Sequence, residues 1–175
     1  MIRNILHAHD PRLRVVSKPV KVVDKKIRDL ISDLKDTLVV QKDPEGVGLA
    51  APQIGKNVRV FVAKTPNGIK AVINPKVLEI IKGQPKKKKR SKKIMEGCLS
   101  LINFYGPLKR PEKIKIGYIT EEGKEKVETF TGFLAQIIQH EIDHLNGVLF
   151  VDRLIEQKRS LYELVDEEWE KVELG

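Results

Sequence analysis

The chain has 175 residues, one cysteine, 41% hydrophobic and 33% charged residues, and a net charge of +9. That composition is globular and excludes global disorder, the single cysteine excludes an intrachain disulfide and a Cys-only zinc cluster, and no apolar run approaches the roughly 18 residues of a membrane-spanning helix. The charge is uneven. Eight acids face four bases from Asp152 to Glu173, a balance of −4, so residues 1–151 carry +13. A basic body suits a polyanionic partner such as RNA, or simply solubility. Met1 to His7 lacks a long apolar core and a small-residue cleavage site. A secretory leader is therefore not expected, and the expected compartment is the reducing cytoplasm.

In chain order, Asp24 can cap a helix in which Ile27, Leu30, Ile31, Leu34 and Leu38 follow helical spacing. Asp43-Pro44-Glu45-Gly46 ends it, and Gly46 to Gly55 is rich in small residues whose backbone can approach another group closely. Val58–Val62, Ile69–Ile73 and Val77–Ile81 read as three short strands, the first two joined by a turn at Pro66-Asn67-Gly68. Lys113–Ile119 alternates strictly, turns at Glu122-Gly123 and returns over Lys126–Thr131 as a hairpin. Gly132 to Asn146 has helical spacing and stops at Gly147, a suitable C′ glycine. Apolar residues at Leu161, Leu164, Val165, Trp169 and Val172 predict an amphipathic helix at the C-terminus. The expected architecture is a single α+β domain over residues 1–175. In it antiparallel β-sheets pack around a central helix, with an N-terminal and a C-terminal helix beside them. Between the Val77–Ile81 strand and Cys98 lies Lys86–Lys93, seven bases in eight residues. It reads as a solvated loop, or as a phosphate-binding segment in contact with RNA; with no aromatic residue interleaved, base stacking is not expected.

The central helix carries His140-Glu141-Ile142-Asp143-His144, an H-E-x-x-H motif. Residues four apart share one helix face, so both imidazoles can reach one metal ion, with Glu141 beside them as a base. A tetrahedral catalytic site needs a third protein ligand and an open position. Asn146-Gly147 follow and no His lies after His144, so the third ligand is sought upstream. Cys98, in Glu96-Gly97-Cys98-Leu99-Ser100, is the leading candidate, although a lone cysteine can also be an inert core filler.

Three stretches together resemble the peptide deformylase family: Gly46-Val47-Gly48-Leu49-Ala50-Ala51-Pro52-Gln53, Glu96-Gly97-Cys98-Leu99-Ser100, and Gln139-His140-Glu141-Ile142-Asp143-His144-Leu145. They occur in the family's order, and smaller similarities extend over nearly the whole chain. The resemblance implies that Cys98, His140 and His144 hold one divalent metal ion, Fe2+ in the cell, with Zn2+ or Ni2+ able to substitute. It implies that Glu141 is the catalytic acid/base, that Gln53 and the backbone N–H of Leu99 hold the formyl oxygen, and that Val47 and Gly48 border the substrate backbone. The implied reaction removes the formyl group from N-formylmethionine at the start of nascent polypeptides and releases formate. A monomer working without a membrane is expected, with transient ribosome or rRNA contact through Lys86–Lys93. An apolar methionine pocket is expected to use Phe133 or Ile137, which lie seven and three residues before His140. The segment Leu101 to Pro107 departs from the family's usual pattern after the cysteine motif, so the cleft wall beyond that pocket is expected to differ. The alternatives are an H-E-x-x-H endopeptidase or another metal-dependent amidohydrolase, and a non-catalytic RNA-binding protein built on the basic body.

Overall fold

A computed structural model describes residues 1–81 and 95–174. The Lys86–Lys93 run lies outside the described residues. Helix α1 spans Lys25–Val39, and Asp24 caps it by accepting a hydrogen bond from the Ile27 N–H. Strands β1 (Gly48–Ala50), β2 (Val60–Thr65), β3 (Gly68–Ile81), β6 (Lys113–Ile119) and β7 (Glu125–Thr131) form one antiparallel sheet in that order. Strands β4 (Glu96–Cys98), β5 (Leu101–Gly106), β8 (Leu161–Val165) and β9 (Glu168–Val172) form a second. Helix α2 runs Gly132–Leu145 and a short α3 follows at Phe150–Glu156.

The five-stranded sheet lies between the two long helices. Phe61, Val72, Ile114, Ile116 and Phe130 pack with Ile138, Ile142 and Leu145 of α2. From the opposite face Val60, Val62, Ala71 and Ile73 pack with Ile31, Leu34 and Leu38 of α1. Strand β2 is thus covered on both sides, which is why Val60–Ala63 is continuously apolar instead of alternating. A third cluster joins the four-stranded sheet to α3 through Leu108, Phe150, Leu154 and Leu161. No helix among the described residues is long and apolar enough to cross a membrane.

Three differences from the sequence expectations have physical causes. The strands expected at 69–73 and 77–81 are one long strand, β3, whose pairing with β6 shifts register between Ile73 and Lys76. Pro75 has no N–H to give the ladder, and Asn74 takes a left-handed φ of +49° while its amide exchanges two 2.8 Å hydrogen bonds with the Val20 backbone. Strands β4 and β5 carried no clear alternation in sequence and were not expected.

The largest correction is the C-terminal helix. Leu161 to Val172 is the β8–β9 hairpin, turning at Asp166-Glu167 with both residues in the left-handed region (φ +47° and +65°). Five apolar residues in a short segment fit both periods. The Asp-Glu turn lacks the glycine or asparagine that signals such a hairpin, so the helical reading was the wrong one. Pairing of β8 with β5, which places Tyr162 opposite Tyr105, decides for strand.

Candidate metal centre

Helix α2 is buried over its last two turns, so the H-E-x-x-H residues sit in the interior: Glu141 is 3% and His144 1% exposed. The two helical imidazoles turn Nε2 toward Nε2 at 3.1 Å, and the Cys98 Sγ from the end of β4 lies 3.3 Å from His144 Nε2. One donor atom from each of Cys98, His140 and His144 falls within 4.8 Å of the others. The chemistry of this set fits a divalent transition metal: one soft thiolate and two imidazoles converge on one point.

The residues around the three donors fix their roles. His140 uses Nδ1 on the Glu96 carboxylate at 2.7 Å, which leaves Nε2 to face the centre. Burial, the largest cause, pushes the His144 pKa well down, the direction that favours the neutral ring a metal needs. The Ser100 N–H points at Cys98 Sγ from 3.4 Å. Gln53 sits in the 3-10 turn Ala51–Ile54, and its Oε1 accepts from the Ala50 N–H at 2.9 Å. Its Nε2 must then face the centre, donating to Ser100 Oγ at 3.1 Å and lying 3.6 Å from Cys98 Sγ.

Glu141 belongs to none of these bonds. Its Oε1 packs against the Cα of Gly48, where an added Cβ would come within 2.4 Å, and its buried Oε2 has no partner among the described residues. Burial is the main reason its pKa is raised to about 7. A carboxylate poised near neutrality, beside but not within a metal-ligand set, can exchange a proton with water held there.

A cavity of about 170 Å³ opens onto Cys98, His140 and Glu141. Val47, Gly48, Gln53, Leu99, Phe133 and Ile137, each singled out from sequence, all line it. The cavity is lined in part by β1 and β4, which among the described residues are the outermost strands of their sheets. Gln136, also in the wall, spends its amide on Glu96 Oε2 at 3.1 Å. His7 and His9 lie outside this site; both are exposed and stack on each other, centroids 5.8 Å apart.

Sequence reasoning missed the ion network behind the ligands. Arg110 donates to both Glu96 oxygens at 2.7 and 2.8 Å and to Asp143 Oδ2 at 2.9 Å, and Arg153 closes on Asp143 at 2.8 Å. Burial alone would raise the Glu96 carboxyl, but the hydrogen bonds from Arg110 and His140 outweigh it and hold it well below the usual carboxylate range. The available signal was an acid inside each of two motifs, Glu96 and Asp143, with no assigned task.

A family model described as polypeptide deformylase matches residues 2–160. The chain is 41% identical over 155 residues to peptide deformylase 2 of Clostridium acetobutylicum, covering 89% of this chain and 97% of that one. The crystal structure of peptide deformylase from Thermotoga maritima superposes with a TM-score of 0.76 at 38% identity, covering 87% of this chain and 97% of that one. A Synechococcus elongatus peptide deformylase solved in complex with actinonin gives 0.77 at 35% identity, over 86% of this chain and 78% of that one. With the fold, the three converging donors and these relatives in agreement, the chain belongs to the polypeptide deformylase family of metal-dependent hydrolases.

Proposed function

We propose that residues 1–175 act as one cytoplasmic catalytic domain, a monomer, in which Cys98, His140 and His144 hold a single ferrous ion and Glu141 handles the protons of the reaction. As a family member the enzyme removes the N-formyl group from N-formylmethionine of newly synthesised polypeptides and releases formate. The observation that carries the residue assignment is the convergence of Cys98, His140 and His144 within 4.8 Å beside the unpartnered Glu141 oxygen. The choice of iron rests on the family's usage, with Zn2+ or Ni2+ as working substitutes.

When bound, the metal supplies Lewis acidity and lowers the pKa of an attached water toward neutrality. Glu141 Oε2 would take a proton as a water beside it adds to the formyl carbon, and would return that proton to the amine nitrogen as the C–N bond breaks, leaving a neutral amine and formic acid, which then ionises to formate. Gln53 Nε2 and the Leu99 N–H stabilise the negative charge that develops on the formyl oxygen. The edge of β1 at Val47 and Gly48 offers backbone groups to an extended substrate. Val47, Phe133 and Ile137 supply an apolar wall for the methionine side chain. A transient ribosome or rRNA contact through Lys86–Lys93 is part of this reading. That run lies outside the described residues, and its support is charge alone.

Formate release from formyl-Met-Ala-Ser under anaerobic conditions, with metal measured on the same sample, tests the proposal. It predicts one ion per chain, activity that decays in air because ferrous iron and thiolate oxidise, and no cleavage of a blocked internal peptide. Gln53→Leu is expected to lower kcat by about 10²–10³, the usual cost of one oxyanion donor, without loss of metal. An unchanged kcat would remove Gln53 from the mechanism. Formyl-Met peptides are expected to exceed formyl-Gly peptides in kcat/KM by roughly tenfold to hundredfold, since burying such a side chain contributes about 1.5–3 kcal/mol. Equal values would mean that Val47, Phe133 and Ile137 form no specificity pocket.

A further inference from the structure

Beside the cavity stands an aromatic surface built by β5 and the C-terminal hairpin, which meets the cavity at Tyr105. Tyr105 of β5 lines the cavity, and its ring lies against the backbone of Gly97, where an added Cβ would sit 2.6 Å from two ring carbons. Trp169 of β9 meets Tyr105 edge to face, with centroids 5.3 Å apart and planes at 87°. Register explains the meeting. Tyr105 pairs with Tyr162, Tyr162 with Lys171, and Leu164 with Trp169. Side chains two apart on a strand share a face, so Tyr105, Tyr162, Leu164 and Trp169 all stand on one face of the four-stranded sheet. The opposite face carries Phe104, Leu161 and Val172 toward α3. Trp169 is 50% exposed and buries no part of the three hydrophobic cores, so its bulk is not explained by folding.

The substrate explains it. A nascent polypeptide held by its first residue must leave the cavity over the protein surface, and Tyr105 stands at the cavity wall. Resting on the deformylase reading of this cleft, we infer that Tyr105 is a specificity-determining residue for the substrate residues after methionine, and that Trp169 positions its ring and extends the contact outward. Neighbouring strands are about 4.8 Å apart and an extended peptide advances about 3.3 Å per residue. The two rings are 5.3 Å apart, so a chain leaving past Tyr105 reaches the indole one or two residues later, at about the third residue. The surface is aromatic with one cation, Lys171, on the same face, so it favours aromatic or large aliphatic side chains at the third residue over glycine.

The test compares formyl-Met-Ala, formyl-Met-Ala-Gly and formyl-Met-Ala-Phe on the iron-loaded wild-type, Trp169→Ala and Trp169→Phe enzymes. Wild type should favour Phe over Gly by roughly three- to tenfold in kcat/KM, carried by KM, the range one aromatic contact supplies. Trp169→Ala should abolish that preference with kcat on formyl-Met-Ala within about twofold of wild type, and Trp169→Phe should restore most of it. Retention of the full preference in Trp169→Ala, or an equal fall in kcat on all three peptides, would overturn the inference. Failure of the wild type to release formate from any of them would instead overturn the deformylase reading on which it rests.

Discussion

Replacing Glu141 with glutamine is expected to lower kcat by about 10²–10⁴, the range contributed by a positioned acid/base, while the enzyme keeps its metal. Both halves of the result follow from geometry. On the proposed assignment the ligands are Cys98, His140 and His144, which converge on one another, while Glu141 Oε2 has no partner among the described residues. The amide is the same size as the acid, so it fits the space that Gly48 leaves, where even a Cβ would collide at 2.4 Å. Only proton transfer is lost. The carboxyl, pushed up to about 7 chiefly by burial, is matched to a reaction in which the same group must first accept and then release a proton near neutral pH. Single-turnover formate release and metal analysis on the same sample separate the two roles. If Glu141→Gln loses metal as completely as His140→Ala, Glu141 is a ligand and the base must be sought elsewhere.

That Glu141, the two histidines and Cys98 could be named from sequence reflects where their information lies. The i, i+4 spacing of His140 and His144 is local and survives any tertiary arrangement, provided the segment is helical. Gln53 and Leu99 were legible only through the family resemblance, because nothing in Pro52-Gln53 says that the Gln53 amide reaches Ser100, 47 residues on. Glu96, Arg110, Asp143 and Arg153 come from four separate segments, and each reads alone as a surface charge. Their partnership appears only when β4, the loop after β5, α2 and α3 meet. The C-terminal hairpin failed for a different reason. Its strands are stabilised by pairing with β5, a segment whose own strand character was invisible, so local periodicity had nothing to be checked against. Wherever the sequence reading depended on which segments become neighbours, it stopped short. It reached furthest where a placement is set within one turn of helix, as for His140 and His144.

The network around Arg110 should show the largest effect on stability. Arg110, Glu96 and Asp143 have side chains only 8%, 6% and 10% exposed. In Arg110→Met the two carboxylates stay buried and lose the guanidinium that spans them, a situation that costs about 3–5 kcal/mol. For a chain of this size each kcal/mol corresponds to about 2–4 °C, so Tm should fall by roughly 6–20 °C. Arg110→Lys should recover little, because one ammonium cannot serve Glu96 through two parallel bonds and reach Asp143 as well. Arg153→Met should cost far less, since Arg153 is 36% exposed and water can replace it at Asp143. The same substitution should reach the metal. Glu96 orients His140 through Nδ1, and an orienting partner of this kind is commonly worth about 10–100-fold in metal affinity. Adding Glu96→Gln to Arg110→Met removes one stranded charge while keeping an acceptor for His140, so the double variant should be more stable than Arg110→Met alone. Calorimetry on the metal-loaded variants decides the matter: a Tm for Arg110→Met within about 2 °C of wild type would mean that water already shares the network and that the buried charges do not depend on one another.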